Sequence, residues 1–107
     1  MVEDPIRSAV AAYLKTVEDN GIPISFGVIF GSQAKGTAHE WSGIDLVVVS
    51  ARFDNMSGRE DIHLLWWVAA NTDARIEPIP CGEAQWRDDD SRAIIEVARL
   101  EGEVVRM

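Results

Sequence analysis

The sequence predicts an α/β (α+β) architecture, a small mixed β-sheet with helices packed on it. Three observations carry this. Apolar residues recur at helical spacing in residues 4 to 20, with Ile6, Val10, Leu14 and Val17 on one stripe. Two short apolar runs, Val28-Ile29-Phe30 and Ile44 to Val49, have strand length. Helical and strand-like segments then alternate to the end, in the order α-β-β-α-β-α-β. At 107 residues the chain is expected to be one domain over 1–107, with a real core and no room for a separate substrate domain.

The elements follow from local chemistry. Asp4 is placed to cap the first helix with Pro5 at its first helical position, and Asn20-Gly21 stops it. Ile22 to Phe30 reads as a strand, with Pro23 at its start where a missing N–H is tolerated. Ser32 to Lys35 forms a short helical turn. Ile44 to Ser50 is so continuously apolar that it belongs in mid-sheet or under cover on both faces. A loop from 51 leads to Ser57-Gly58, where a helix over about 59–71 begins. That helix has two apolar faces, Ile62, Leu65, Trp66 and Ala69 on one and Leu64, Trp67 and Val68 on the other. Two apolar faces fit either a helix sunk in the core or one whose second face is a contact surface for another chain, the reading a domain this small favours. Arg75 to Ile79 is a third strand, and Pro78 argues for an edge position or a strand end. Residues 81 to 90 read as a polar connection ending in Asp88-Asp89-Asp90, a capping region and solvated face. The last helix spans Ser91 to Glu101 with Ile94, Val97, Ala98 and Leu100 inward. Gly102 ends it, and Glu103 to Arg106 adds a short strand.

Composition excludes several classes. A formal charge of -8 argues against nucleic acid as the main partner, because duplex binding needs a basic face. An acidic chain that handles nucleotides needs a divalent cation to bring phosphates in. No apolar run has the length of a membrane span, and the N-terminus lacks the order of a signal peptide, so the expected compartment is the cytoplasm. The lone Cys81 reads as a small buried apolar residue.

The chemistry concentrates between Phe26 and Ser50. Gly31-Ser32 leaves a strand in a tight turn, where backbone N–H groups and the Ser32 hydroxyl can approach phosphate oxygens. Ten residues later comes a strand that carries one carboxylate, Asp45, among apolar neighbours. Such a charge is costly unless something pairs with it. By itself Asp45 also fits a strand-end residue bonded to backbone, and Glu77 a surface charge on an edge strand. Lys35 reads either as a phosphate contact or as a solvated lysine. Trp41 reads as a base-stacking ring or as a clamp on the strand. His39 reads as a solvated loop residue, and His63 as a surface or interface residue.

The set Gly31, Ser32, Ala34, Gly36, Thr37, Ala38, Ser42, Ile44, Asp45 and Leu46 closely resembles the minimal nucleotidyltransferases of the DNA polymerase beta superfamily. The resemblance continues into Ala74 to Pro80, similar to the third strand of these proteins with Glu77 at its acidic position, and into the closing Leu100-Glu101-Gly102-Glu103-Val104. It implies the nucleotidyltransferase fold. It also implies transfer of a nucleoside monophosphate from a triphosphate, AMP from ATP, to a hydroxyl. Mg2+ (or Mn2+) would be held by Asp45 and Glu77, and the triphosphate by Gly31, Ser32 and Lys35. Proteins of this kind commonly pair with a small helical HEPN protein as antitoxin and toxin. The partner would be such a protein, or a second copy, docked through the 59–71 helix. The pattern departs at Gly43, where the family has the first aspartate of an Asp-x-Asp pair. One of three expected metal-binding carboxylates is therefore missing. The alternative reading is a catalytically decayed binding or regulatory subunit. Glu40, close by in sequence, is the one carboxylate of that loop that could reach in.

Overall fold

The computed structural model describes residues 2–55, 59–88 and 92–107. The elements are α1 (Asp4–Asp19), β1 (Phe26–Phe30), α2 (Ser32–Lys35), β2 (Ile44–Val49), a 3-10 turn (Ala51–Asn55), α3 (Glu60–Thr72), β3 (Ile76–Cys81), α4 (Glu83–Asp88), α5 (Ala93–Glu101) and β4 (Glu103–Val105). They form the mixed sheet with packed helices that the sequence predicts. The strand order is β3-β2-β1-β4. The β1–β2 and β1–β4 pairs are antiparallel and β2–β3 is parallel.

The strand period of two sorts side chains to the two faces. Ile29, Ile44, Leu46, Val48 and Ile76 face α1 and α3, where Val10, Tyr13, Leu14, Leu65 and Val68 complete one core. Val28, Phe30, Val47, Val49 and Cys81 face the other way, against Ile95 and Ala98 of α5, with Trp86 of α4 alongside. Within β2 every residue but Asp45 is buried, as the apolar run required for a strand covered on both faces. The four stripe residues of α1 are all buried.

β3 lies at the sheet edge, one of the two positions Pro78 argued for. The carbonyls of Arg75 and Cys81 accept N–H bonds from Ile44 and Ser50, at 2.8 and 3.0 Å, so odd positions of this strand point toward β2. Pro78 and Pro80 therefore turn their nitrogens outward, and the free edge carries no N–H at either position, which blocks pairing with another strand.

Several local expectations are corrected. Glu3 rather than Asp4 is the N-cap of α1, because the Glu3 carbonyl already accepts from Ile6 and Arg7, and its side chain makes no capping bond. β1 starts at Phe26, not Ile22. The stretch read as polar connection contains α4, and Cys81 ends β3 fully buried. α4 is held by non-local partners: the Ala84 N–H donates to the Asp54 carboxylate, and Arg99 donates to the Trp86 and Gln85 carbonyls at 2.6 and 2.7 Å. Ile94, Val97 and Leu100 of α5 face solvent, and Ile95 with Ala98 turns inward. In α3, Val68 is buried and both Trp66 and Trp67 are exposed, so the outward face is not the one expected. The expected helix start at Ser57-Gly58, and Asp89, Asp90 and Ser91, lie outside the described residues.

Candidate active site

One end of the sheet gathers the motif. β1 ends there at Phe30, while β2 and β3 begin there at Ile44 and Ile76, which are register partners. Gly31 turns the chain out of β1 with φ +74°, a conformation that suits glycine, and caps the single turn of α2. Its carbonyl accepts from the Lys35 N–H at 3.0 Å, and Gly36 closes the turn in the left-handed region. Gln33 fastens this turn to the start of β2, its Nε2 donating to the Gly43 carbonyl at 3.2 Å. Sequence reasoning missed Gln33, since nothing in its spacing marks a contact ten residues ahead.

Asp45 and Glu77 are direct partners in the parallel β2–β3 register, so both project from the face shared with Phe30, the face that α5 covers. A Cβ built on Gly31 would lie 2.3 Å from Asp45 Oδ2, and one built on Gly43 would lie 2.3 Å from Glu77 Oε2. Each carboxylate thus rests against the backbone of a glycine. Asp45 is half-buried and Glu77 exposed, and among the described residues neither carboxylate has an ion-pair or hydrogen-bond partner.

Other candidates are placed differently. Lys35 extends its Nζ to 3.4 Å from a Glu101 oxygen on α5. Trp41 is 85% exposed and clamps no strand. His39 is exposed and organises its own loop: its N–H donates to Ser42 Oγ at 2.9 Å, and its Nδ1 accepts the Trp41 N–H at 3.3 Å. Glu40 is exposed. A cleft of about 290 Å3 adjoins this loop, lined by Glu3, Ile6, Gln33, His39, Glu40 and Arg75 among others, and includes neither Asp45 nor Glu77. Arg75 braces the entry to β3, and so the position of Glu77, through a two-pronged ion pair with Asp73 at 2.9 and 2.6 Å. The Arg75 hydrogen bonds hold the Asp73 carboxyl below its ordinary value.

The donor set can be matched against a metal. Among the described residues no group of three or more His, Cys, Asp or Glu is disposed to hold an ion. Two unpartnered carboxylates on adjacent strands suit one hard cation, since Mg2+ is commonly held by one or two carboxylates plus phosphate oxygens and water. With glycine at position 43 they offer no third carboxylate for a second cation.

A family model described as the nucleotidyltransferase domain matches residues 12–99. No curated protein matches the chain in sequence. Among solved structures, a Sulfolobus solfataricus protein assigned as a nucleotidyltransferase superposes with a TM-score of 0.61 at 15% identity, over 92% of this chain and 77% of its own. A toxin–antitoxin structure with AMP-PNP superposes with a TM-score of 0.61 at 21% identity, over 88% of this chain and 70% of its own. At these identities both likenesses bear on the fold alone. Among the described residues no helix is long and apolar enough to cross a membrane.

Proposed function

The chain belongs to the nucleotidyltransferase domain family, and from that premise we propose that it moves AMP from ATP to a hydroxyl of a partner protein or small acceptor. The observation that supports this best is the meeting of Asp45 and Glu77 in one register, unpartnered, beside the Gly31-Ser32 turn. Asp45 and Glu77 would hold Mg2+ or Mn2+. When bound, the cation supplies charge neutralisation for the triphosphate and lowers the barrier to in-line attack. Gly31 and Ser32 would present N–H and hydroxyl donors to phosphate oxygens, and Lys35 would join them only by leaving Glu101. Glu77, the more exposed carboxylate, is the better placed to accept the proton of the incoming hydroxyl.

The partner reading is an antitoxin of the HEPN-paired kind, working in the cytoplasm. The toxin–antitoxin neighbour is consistent with a protein partner, and the exposed Trp66 and Trp67 on α3 offer the contact. A second reading, a decayed binding subunit, is favoured by one specific fact: the space beside Gly43 that an aspartate needs is taken by the Glu77 carboxylate.

The test is incubation with labelled ATP and Mg2+, alone and with the product of the adjacent reading frame. Label transfer by wild type that disappears in Asp45→Ala is the expected result. Equal transfer by both would overturn the assignment, and no transfer together with no nucleotide binding leaves the decayed reading without a ligand and overturns the site.

A further inference from the structure

Four residues along β2 from Asp45, about 13 Å at strand rise, the same sheet face carries a second concavity. This cavity, of about 480 Å3, is lined by Phe26, Val49, Glu83, Trp86, Arg87 and Arg99. Its walls are aromatic: the Phe26 and Trp86 rings meet edge to face, 5.9 Å apart at 76°. Two guanidinium groups stand over these rings. The Arg99 guanidinium lies 5.5 Å from the Trp86 ring centre, and that of Arg106 lies 5.3 Å from the centre of Phe26. Arg99 is fully committed to structure, since it donates to the Trp86 and Gln85 carbonyls and pairs with Glu96, and so holds the Trp86 wall in place. Arg87 pairs through Nε with Asp88 at 3.2 Å and keeps its terminal nitrogens for another acceptor. Arg106 has no carboxylate within ion-pair distance among the described residues. In a chain of net charge -8, two of the ten Lys and Arg residues, Arg87 and Arg99, line this hollow, and Arg106 stands over Phe26 beside it.

We propose that this hollow between α4, α5 and the start of β1 binds a small planar aromatic anion. The ring would lie against Trp86 and Phe26, and a phosphate or carboxylate would be met by Arg106 and Arg87. The volume falls within the range of small-ligand sites. Aromatic faces hold flat rings. A guanidinium offers paired donors to either anion. Glu83 on the wall sets a limit: the anion enters on the Arg106 side. The site is separate from the Asp45 end, and the inference does not rest on the transferase reading.

The test uses Asp45→Asn protein in chelator, so that the other end of the sheet holds no metal. 15N amide and indole spectra are followed during titration with AMP, with indole-3-acetate and with inorganic phosphate. The expected result is saturable binding of AMP or indole-3-acetate, with shifts centred on Phe26, Val49 and the Trp86 indole. Phosphate should bind at least tenfold more weakly. Which of the two aromatic probes binds tighter tells phosphate from carboxylate recognition. Arg106→Gln, an exposed change near the C-terminus, should weaken binding about tenfold with an unchanged spectrum elsewhere. No saturation by either aromatic probe, shifts centred on Gly31 and Ser32, or unaltered binding in Arg106→Gln would each overturn the proposal.

Discussion

Gly43 and Glu77 meet at the start of the parallel β2–β3 pair, where a Cβ on Gly43 would fall 2.3 Å from Glu77 Oε2 and 3.1 Å from its Cδ. The obstruction is the far end of a flexible side chain on an edge strand. The Arg75 carbonyl oxygen stands 3.3 Å from the same Cβ, so an aspartate at position 43 needs a rotation of Glu77 and a shift of a few tenths of an ångström, on the order of 0.3 Å, at the start of β3.

Gly43→Asp accordingly tests how far the missing carboxylate limits the protein. Without metal, a third negative group against Glu77 and Asp45 should cost about 1 kcal/mol, or roughly 5 °C in Tm for a domain of this size. With Mg2+ the order should reverse, and the variant should gain more stabilisation than wild type. Transfer of label from ATP should rise by about a hundredfold if the missing ligand misplaces the triphosphate. Thermal melts with and without chelator, beside the transfer assay, read both. A variant that ignores Mg2+ would remove Asp45 and Glu77 as ligands.

Gly31→Ala probes the other carboxylate. The substitution meets a backbone with φ +74°, ψ -146°, a region almost restricted to glycine, and a Cβ 2.3 Å from Asp45 Oδ2. The backbone term alone is about 1–3 kcal/mol. Denaturant unfolding should show that loss, and any nucleotide binding should fall with it because Asp45 must move. A stability change under about 0.5 kcal/mol would mean that the turn relaxes to negative φ.

Trp67→Ser addresses the surface of α3. Trp66 and Trp67 are 48% and 57% exposed, so stability should shift by less than about 0.5 kcal/mol. If the helix is the partner contact, an aromatic anchor lost at its centre should weaken association by about 2 kcal/mol, roughly thirtyfold. Titration calorimetry with the neighbouring gene product gives both affinity and stoichiometry. Equal affinity for wild type and Trp67→Ser would move the contact elsewhere.

Much of this was legible in the sequence for one reason: strong periodicity over enough residues. The stripe of α1 leaves one solution for its buried face, and the run Ile44 to Val49 can only be an inner strand. Motif spacing singled out Asp45, and the resemblance of Ala74 to Pro80 to a family strand singled out Glu77. Their register was not legible, because parallel pairing across some thirty residues is set by the packing of α3 between the strands. α4 was invisible for a related cause. Its six residues are mostly good helix formers but too few to show a period or to hold a helix alone, and its ends are tied down by Asp54 and Arg99, both distant in sequence. In α5 the run Ile94, Ile95, Val97, Ala98 and Leu100 permits two apolar faces, and the fit of Ile95 against Val47 and Val49 selects between them. α3 poses the same ambiguity, resolved by Val68 going inward and Trp66 outward.

Tyr13, the chain's one tyrosine, gives a prediction free of the site. Its ring is buried between α1 and α3, and its O–H donates to the Leu65 carbonyl at 2.9 Å. Burial pushes the phenol well above its ordinary value of 10.0. The native state therefore keeps the proton after the unfolded chain has released it. The stabilising contribution is complete below pH 10 and is lost as pH rises beyond it, by about 1.4 kcal/mol per pH unit. Tyr13→Phe should be less stable by about 1 kcal/mol at pH 7, through loss of the hydrogen bond, and should lack the alkaline slope. The two stabilities should then cross near pH 11. Urea unfolding at pH 7, 10 and 11 measures the difference directly, since lysine titration is common to both proteins and cancels. Parallel curves would show that the phenol ionises within the fold, which is incompatible with the burial of Tyr13 in the α1–α3 interface.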